Sequence, residues 1–262
     1  MMKTLLLVII ASFLGIEMNA QEKIQAADII TRLNKGEKVE LRDATVIGTL
    51  DLTILNTMKL QSKSIGDREY LSVVNSELSF TNCVFTGDVL AHVWEGKPNT
   101  SYRTDFAEKI AFINCSFKNQ SSFKHSAFKK EAKFDGTIFT LEADFKHASF
   151  SGSALFNTCT FNGLADFKHT SFGSDVNFSK SQFNGNADFK HTSFSAFAEF
   201  QDAVFKKEAN FKHTGFSNGV SFNNAQFKGS ADFKHAGCSG KALLIGMVFE
   251  NGVDSKHSNF IK

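Results

Sequence analysis

A strict beat of phenylalanine constrains this chain more than any other feature. The residue recurs at Phe106, Phe112, Phe117, Phe123, Phe128, Phe134 and onward to Phe233 in alternating steps of six and five, so the underlying unit is 11 residues. Cys238, Leu244, Phe249 and Phe260 extend the beat, and from Phe106 onward only Phe197 falls outside it. Such steps fit neither a helix, which repeats every 3.6 residues or about that, nor a long strand, which alternates in twos. The pattern requires short extended segments separated by regular corners.

Around each Phe the position two before is small, as at Ala165, Ala187, Thr170, Cys159 and Val176, and the flanking positions are polar. This reads as a three-residue strand whose side chains alternate inward and outward about an inward Phe. Gly and Asn follow at corners, in "FNG" from Phe161 and Phe183 and "FKG" from Phe227. The single Pro lies outside the ladder, where no backbone N–H is needed for pairing.

The segments "ADFKH" from Ala165 and Ala187, "AEFQD" from Ala198 and "ANFKH" from Ala209 resemble the pentapeptide repeat family, whose unit is a small residue, Asp or Asn, a central Leu or Phe, and two variable residues. The resemblance implies an all-β fold, a right-handed quadrilateral parallel β-helix with four short faces per coil, and the alternating five- and six-residue units of this chain make four faces take 22 residues. This chain departs from the simplest pattern in its six-residue alternate units and its central Phe. Many members of the family have no known activity, and the best understood resemble DNA in shape and charge and bind topoisomerases. With 29 Lys and Arg against 27 Asp and Glu the chain is not acidic, which argues against that role and against a nucleic-acid partner.

The N-terminus reads "MMKTLLLVIIASFLGIEMNAQ": Lys3, an apolar run from Leu5 to Leu14, and Ala20 before Gln21. That is the layout of a secretory signal peptide over 1–20, with a mature chain from Gln21 that is exported to the periplasm, cell surface or medium and has no membrane span. Residues 21–38 are expected to form a capping helix over the first coil, with Ile24, Ala27, Ile30 and Leu33 on its apolar face and a stop at Asn34 and Gly36. Irregular first coils with loop insertions follow over 39–105, and the regular β-helix over 106–262. The beat is lost over 53–77, and "HVWEGKPNTSYRTD" inserts about ten residues between Ala91 and Phe106. The second insertion carries His92, Trp94, Tyr102 and Arg103, a candidate binding loop on a rigid scaffold.

One dipeptide recurs every 22 residues: Lys124-His125, Lys146-His147, Lys168-His169, Lys190-His191, Lys212-His213, Lys234-His235 and Lys256-His257. Seven of the eight histidines therefore form one column, coil upon coil at about 4.8 Å. Three readings stand side by side. The column is architectural, with Asp144, Asp166, Asp188, Asp232 and Asp254 relieving the repulsion between lysines; or it is a weak transition-metal ladder, with His169, His191 and His213 as the candidate ligands; or it grips a polyanion or glycan. The next face is flat and small, running Ser149, Ser171, Ser193, Gly215 and Gly237.

Cys83, Cys115 and Cys159 fall in one inward column, and a disulfide between Cys83 and Cys115 is geometrically allowed. No CxxC pair, Gly-rich phosphate loop or recognised nucleophile occurs, so neither a cofactor nor catalysis is expected, and the partner is an unidentified protein or glycan. Apolar residues near Ile245, Val248 and Phe249 would suit a homodimer through the C-terminal end.

Overall fold

The computed structural model describes residues 21–63, 67–96 and 99–261, so the signal-peptide expectation lies outside the described residues. The chain winds as a right-handed quadrilateral β-helix of four parallel sheets, two of ten strands and two of nine. In coil order we number the faces by one of their strands: face one (Ala154–Leu155), face two (Thr160–Phe161), face three (Ala165–Asp166) and face four (Ser171–Phe172). Strands of the regular coils pair over two residues, one fewer than the alternation suggests. Every coil is in register with the next at a spacing of 22, for example Ala143 on Ala165 on Ala187.

The beat becomes a core in a simple way. Phe145, Phe167 and Phe189 stack at 5.0 Å with planes 1° and 2° apart. Neighbouring faces present their rings edge-on, as Phe156 does to Phe167 at 5.4 Å and 85°. Each ring thus has offset-stacked partners along the axis and edge-to-face partners across it, both favourable aromatic arrangements. Small residues two positions earlier fill the space beside the rings. In the regular coils a Thr here has its hydroxyl satisfied by a carbonyl: Thr170, Thr192 and Thr214 donate to the Phe145, Phe167 and Phe189 oxygens at 2.7 Å, whereas Thr104 and Ser126, before Phe106 and Phe128, have none.

The described N-terminal part begins with a strand, Glu22–Gln25, paired with Ala44–Ile47 on face two. A helix, Ala26–Asn34, then covers the first coil and stops where Gly36 turns left-handed (φ 73°). The apolar face differs from the one expected: Ala26 and Ile29 are buried with Ile30 and Leu33 against them, whereas Ala27 is exposed and Ile24 belongs to the strand. The strand consumes the first part of the apparent helical pattern and rotates its phase.

At the other end Phe260 does not open another strand. Asn259 hydrogen-bonds both the N–H and the carbonyl of Cys238 (2.8 and 3.0 Å), and the Phe260 ring lies edge-on to Phe216 and Phe233 at 5.8 and 6.1 Å. Cys238 interrupts the Phe column of face four, and Phe260 packs against the rings beside it. Ile245 and Val248 remain 76% and 48% exposed on this end.

Candidate functional site

Two local devices make the Lys-His corner between faces three and four. The Asp144 carboxylate accepts the Lys146 backbone N–H at 3.0 Å, and Asp166, Asp188 and Asp232 do the same for Lys168, Lys190 and Lys234 at 2.9 Å. The Phe145 carbonyl then accepts from Ala148 N at 2.9 Å, closing a four-residue turn with His147 as its third residue. That position needs a positive φ, usually met by Gly or Asn. Here seven histidines meet it, with φ between 55° and 62° from His125 to His257. The Asp column is therefore a set of turn-starting acceptors, not the ion-pair partner of the lysines; within it only Lys234 makes ion pairs, to Asp232 and Asp254 at 3.5 and 3.1 Å. A β-branched residue cannot hold this conformation cheaply, so His191→Val is expected to be less stable than His191→Gly by about 1–2 kcal/mol in thermal unfolding. Equal melting temperatures would count against a left-handed corner.

The corner aims the imidazoles along one line. From His125 to His235 they stack at 4.8 Å with planes within 8°, and His257 continues at 4.8 Å with a 22° tilt. The structure adds the histidine that the period left out: His92 lies 5.4 Å from His125 at 45°, so all eight histidines form one column. Parallel rings do not converge. Equivalent nitrogens of His169, His191 and His213 stand a full step apart, whereas two nitrogens on one Zn²⁺ lie at most about 4.2 Å apart. Among the described residues no group of three or more His, Cys, Asp or Glu is arranged to hold a metal ion.

His92 reaches the column because both insertions are hairpins. Lys59–Lys63 pairs antiparallel with Asp67–Val74, and His92–Glu95 with Asn99–Phe106. The two long strands pair in parallel, Tyr70 opposite Tyr102, and those rings stack at 5.1 Å. The result is a four-stranded extension of face four in which His92–Glu95 lies on the side of the following coil. One signal for it is present in the sequence: "DREYLSVV" from Asp67 and "NTSYRTDF" from Asn99 place their only tyrosines at the same step.

One face of this extension and the first Lys-His corner enclose a cleft of about 710 Å³ lined by Ser62, Asp67, Arg68, Glu69, His92, Trp94, Asn99, Ser101, Arg103, Lys124 and His125. Of the candidate loop, His92, Trp94 and Arg103 line it and Tyr102 lies on the opposite face, its hydroxyl 3.5 Å from Glu95. Of the repeated Lys-His pairs it takes only Lys124 and His125. Arg103 bridges Glu69 (2.6 Å) and Asp105 (2.5 Å), so its charge is matched. Trp94 is 64% exposed, and its Nε1 donates to Asn99 Oδ1 at 2.7 Å, while Asn99 in turn donates to Asp67. Burial pushes His92 down to about 4, with the Lys124 and His125 charges adding to the effect. His125 is also held near 4, by burial first and then by His147 and Lys124. Both imidazoles are neutral at pH 7 and offer one donor and one acceptor each.

Cys83 and Cys115 sit on adjacent coils as expected, and both are free thiols, as are Cys159 and Cys238. Each is buried and donates to main-chain carbonyls, Cys83 to Thr81 at 3.4 Å and Cys115 to Phe80 at 3.5 Å. Hydrogen bonding to Cys83 and burial push the Cys115 thiol up. On face four Ser149, Ser171, Ser193, Gly215 and Gly237 stack in one outward row, as the spacing predicts.

Among known families, a model described as pentapeptide repeats (9 copies) matches residues 145–193 and 189–237. Neither a curated protein nor a solved structure matches the chain at a significant level. No helix among the described residues is long and apolar enough to cross a membrane.

Proposed function

The chain is a pentapeptide repeat protein, and from that premise we propose that it is an exported, non-catalytic scaffold whose binding surface is the cleft at the head of the histidine column. One observation carries this reading. The two stretches that break the repeat pair with each other and meet the first Lys-His corner, so the irregular, chemically varied side chains of the molecule are gathered in one concavity. The rest of the surface repeats the same few residues coil after coil, and a repeated column offers no singular constellation for catalysis. Export is supported by the charged, apolar and small-residue sequence over 1–20 and by Gln21, which is held by Thr45 (2.8 Å) and Asn82 (2.9 Å) at the expected mature start. N-terminal sequencing of the protein recovered outside the cytoplasm is expected to begin there.

Trp94 is the only Trp in the chain, so its fluorescence reports on the cleft directly. Solutes concentrated from the surrounding medium are expected to change that emission. Deleting residues 92–101 restores the five-residue step between Ala91 and the Phe now at 106. Because this deletion also removes the fluorophore, binding of the same solutes is followed by calorimetry, and the heat should vanish in that variant. Binding that shifts the His169 and His191 imidazole resonances and leaves Trp94 emission unchanged would transfer the function to the column.

A further inference from the structure

We infer that the cleft is a saccharide site, with Trp94 as the platform on which a sugar ring stacks; this rests on the reading of the cleft as the binding surface. Three features of the cleft point to that ligand class.

The first is the indole. Trp94 pairs across the hairpin with Ser101, whose side chain is too small to cover the ring, and the Asn99 amide oxygen fixes its Nε1–H at 2.7 Å. An exposed aromatic on a paired strand, tethered at its polar edge, presents a flat apolar face at little further entropic cost. The axial C–H faces of a pyranose are flat and apolar on that scale, whereas an aliphatic chain has no need of a planar partner.

The second is the polar lining. The imidazoles of His92 and His125 have no hydrogen-bond partner within the protein among the described residues, and at neutral pH each offers a donor on one nitrogen and an acceptor on the other. A sugar hydroxyl is likewise both donor and acceptor, so neutral imidazoles and the Ser101 hydroxyl complement it from either direction. A ligand of donors only or acceptors only would leave half of these groups unpaired on binding, which is costly.

The third is charge. The floor carries Asp67 and Glu69, each already accepting from Asn99 or Arg103, and of the cations Arg68 and Lys124 make no ion pair among the described residues. A densely charged phosphate compound would meet those carboxylates, while a neutral or singly acidic sugar meets a mixed-charge surface whose two unpaired cations, Arg68 and Lys124, can take a single carboxylate. The volume, about 710 Å³, falls in the range of roughly 300–1,000 Å³ common for small-ligand sites and suits two or three sugar rings.

The test uses the mature protein with maltotriose, cellotriose, chitotriose and digalacturonate as saccharide probes and inositol hexakisphosphate as the anionic control. Trp94 emission is followed first, and calorimetry is then run on the wild type and on Trp94→Ala. Trp94 is a surface residue on a hairpin, so far-UV circular dichroism is expected to be unchanged by the substitution. The expected result is saturable quenching or a shift of Trp94 emission by at least one saccharide, with affinity lowered at least about tenfold in Trp94→Ala, as for an aromatic anchor. A Trp94 response to inositol hexakisphosphate alone would overturn the saccharide assignment and leave the cleft as the binding surface. Saccharide heats that are identical in wild type and Trp94→Ala would overturn both. No response to any saccharide would overturn the assignment, with the cleft then judged by its own deletion test.

Discussion

Phe189→Ala is expected to lower the stability of the β-helix by about 3–5 kcal/mol, seen as a lower urea midpoint. The ring is fully buried, stacked between Phe167 at 5.0 Å and Phe211 at 4.9 Å, and edge-on to Phe178 and Phe200, both at 5.4 Å. Truncation opens a hole that the surroundings cannot close. The Phe189 N–H is bonded to Asn210 O at 2.7 Å and its carbonyl to Thr214 Oγ1 at 2.7 Å, so the backbone on either side is held at the coil spacing. His191→Ala, two residues later on an exposed corner, is expected to cost no more than about 1–2 kcal/mol, since Ala too must adopt the left-handed turn. Equal losses in the two variants would contradict the inward placement of the Phe column.

Acid is expected to act on the opposite surface of the same corners. His92 and His125 bind protons near 4 in the folded chain against 6.5 when unfolded, and His147, His191 and His235 are also lowered, by burial first and then by neighbouring imidazoles. Between those values the unfolded chain binds more protons. The stabilisation by neutral histidine is therefore complete above about pH 6.5 and is lost as the pH falls towards 4. Two charges one step apart on the column repel by about 1 kcal/mol where water screens them fully, and the Lys column beside them adds to the field. Glu69 opposes the shift at His125, where Arg103 supports it. Asp144, raised to about 6 by burial, and Asp166, raised for the same reason, run the other way, since their folded forms hold protons more tightly and favour the fold at low pH. The histidines outnumber them. The urea midpoint is expected to drop between pH 7 and pH 4.5, and to drop less when His147, His191 and His235 are replaced by Asn, which tolerates the left-handed turn without gaining charge. A midpoint that holds or rises on acidification would refute the mechanism.

What the sequence discloses and what it hides divide along one line, whether a contact obeys the period. Phe167 over Phe189 and His169 over His191 are each 22 apart, and both columns can be read directly. His92 stands 33 residues before His125, and Tyr70 stands 32 before Tyr102, so the hairpins that assemble the cleft do not follow the 22-residue coil. The Asp column was legible as a column but not as chemistry. An acid two residues before a lysine looks like a charge partner, yet the carboxylate is committed to the lysine's own N–H, a contact set by turn geometry. The helix face was misread because a short strand, Glu22–Gln25, precedes it, and its alternate apolar Ile24 continues a helical spacing by coincidence. Phe260 kept the beat in sequence and left it in space, because the Asn259 side chain spends its hydrogen bonds on Cys238.

The register of 22 also governs how the molecule bears load. Every backbone bond between regular coils joins one coil to the next, as His169 N does to Lys190 O at 3.0 Å and His191 N to Lys212 O at 3.0 Å, and none skips a turn. Tension applied along the chain therefore meets a spool and not a knot: one winding can be drawn off while its neighbours keep their full set of bonds. Each winding freed yields 22 residues, or roughly 70–80 Å of thread. The helix Ala26–Asn34 covers one end, whereas Ile245 and Val248 are exposed at the other. Under force the molecule would release its length in equal increments, as a ratchet does, and each regular winding released would strip one histidine from the column.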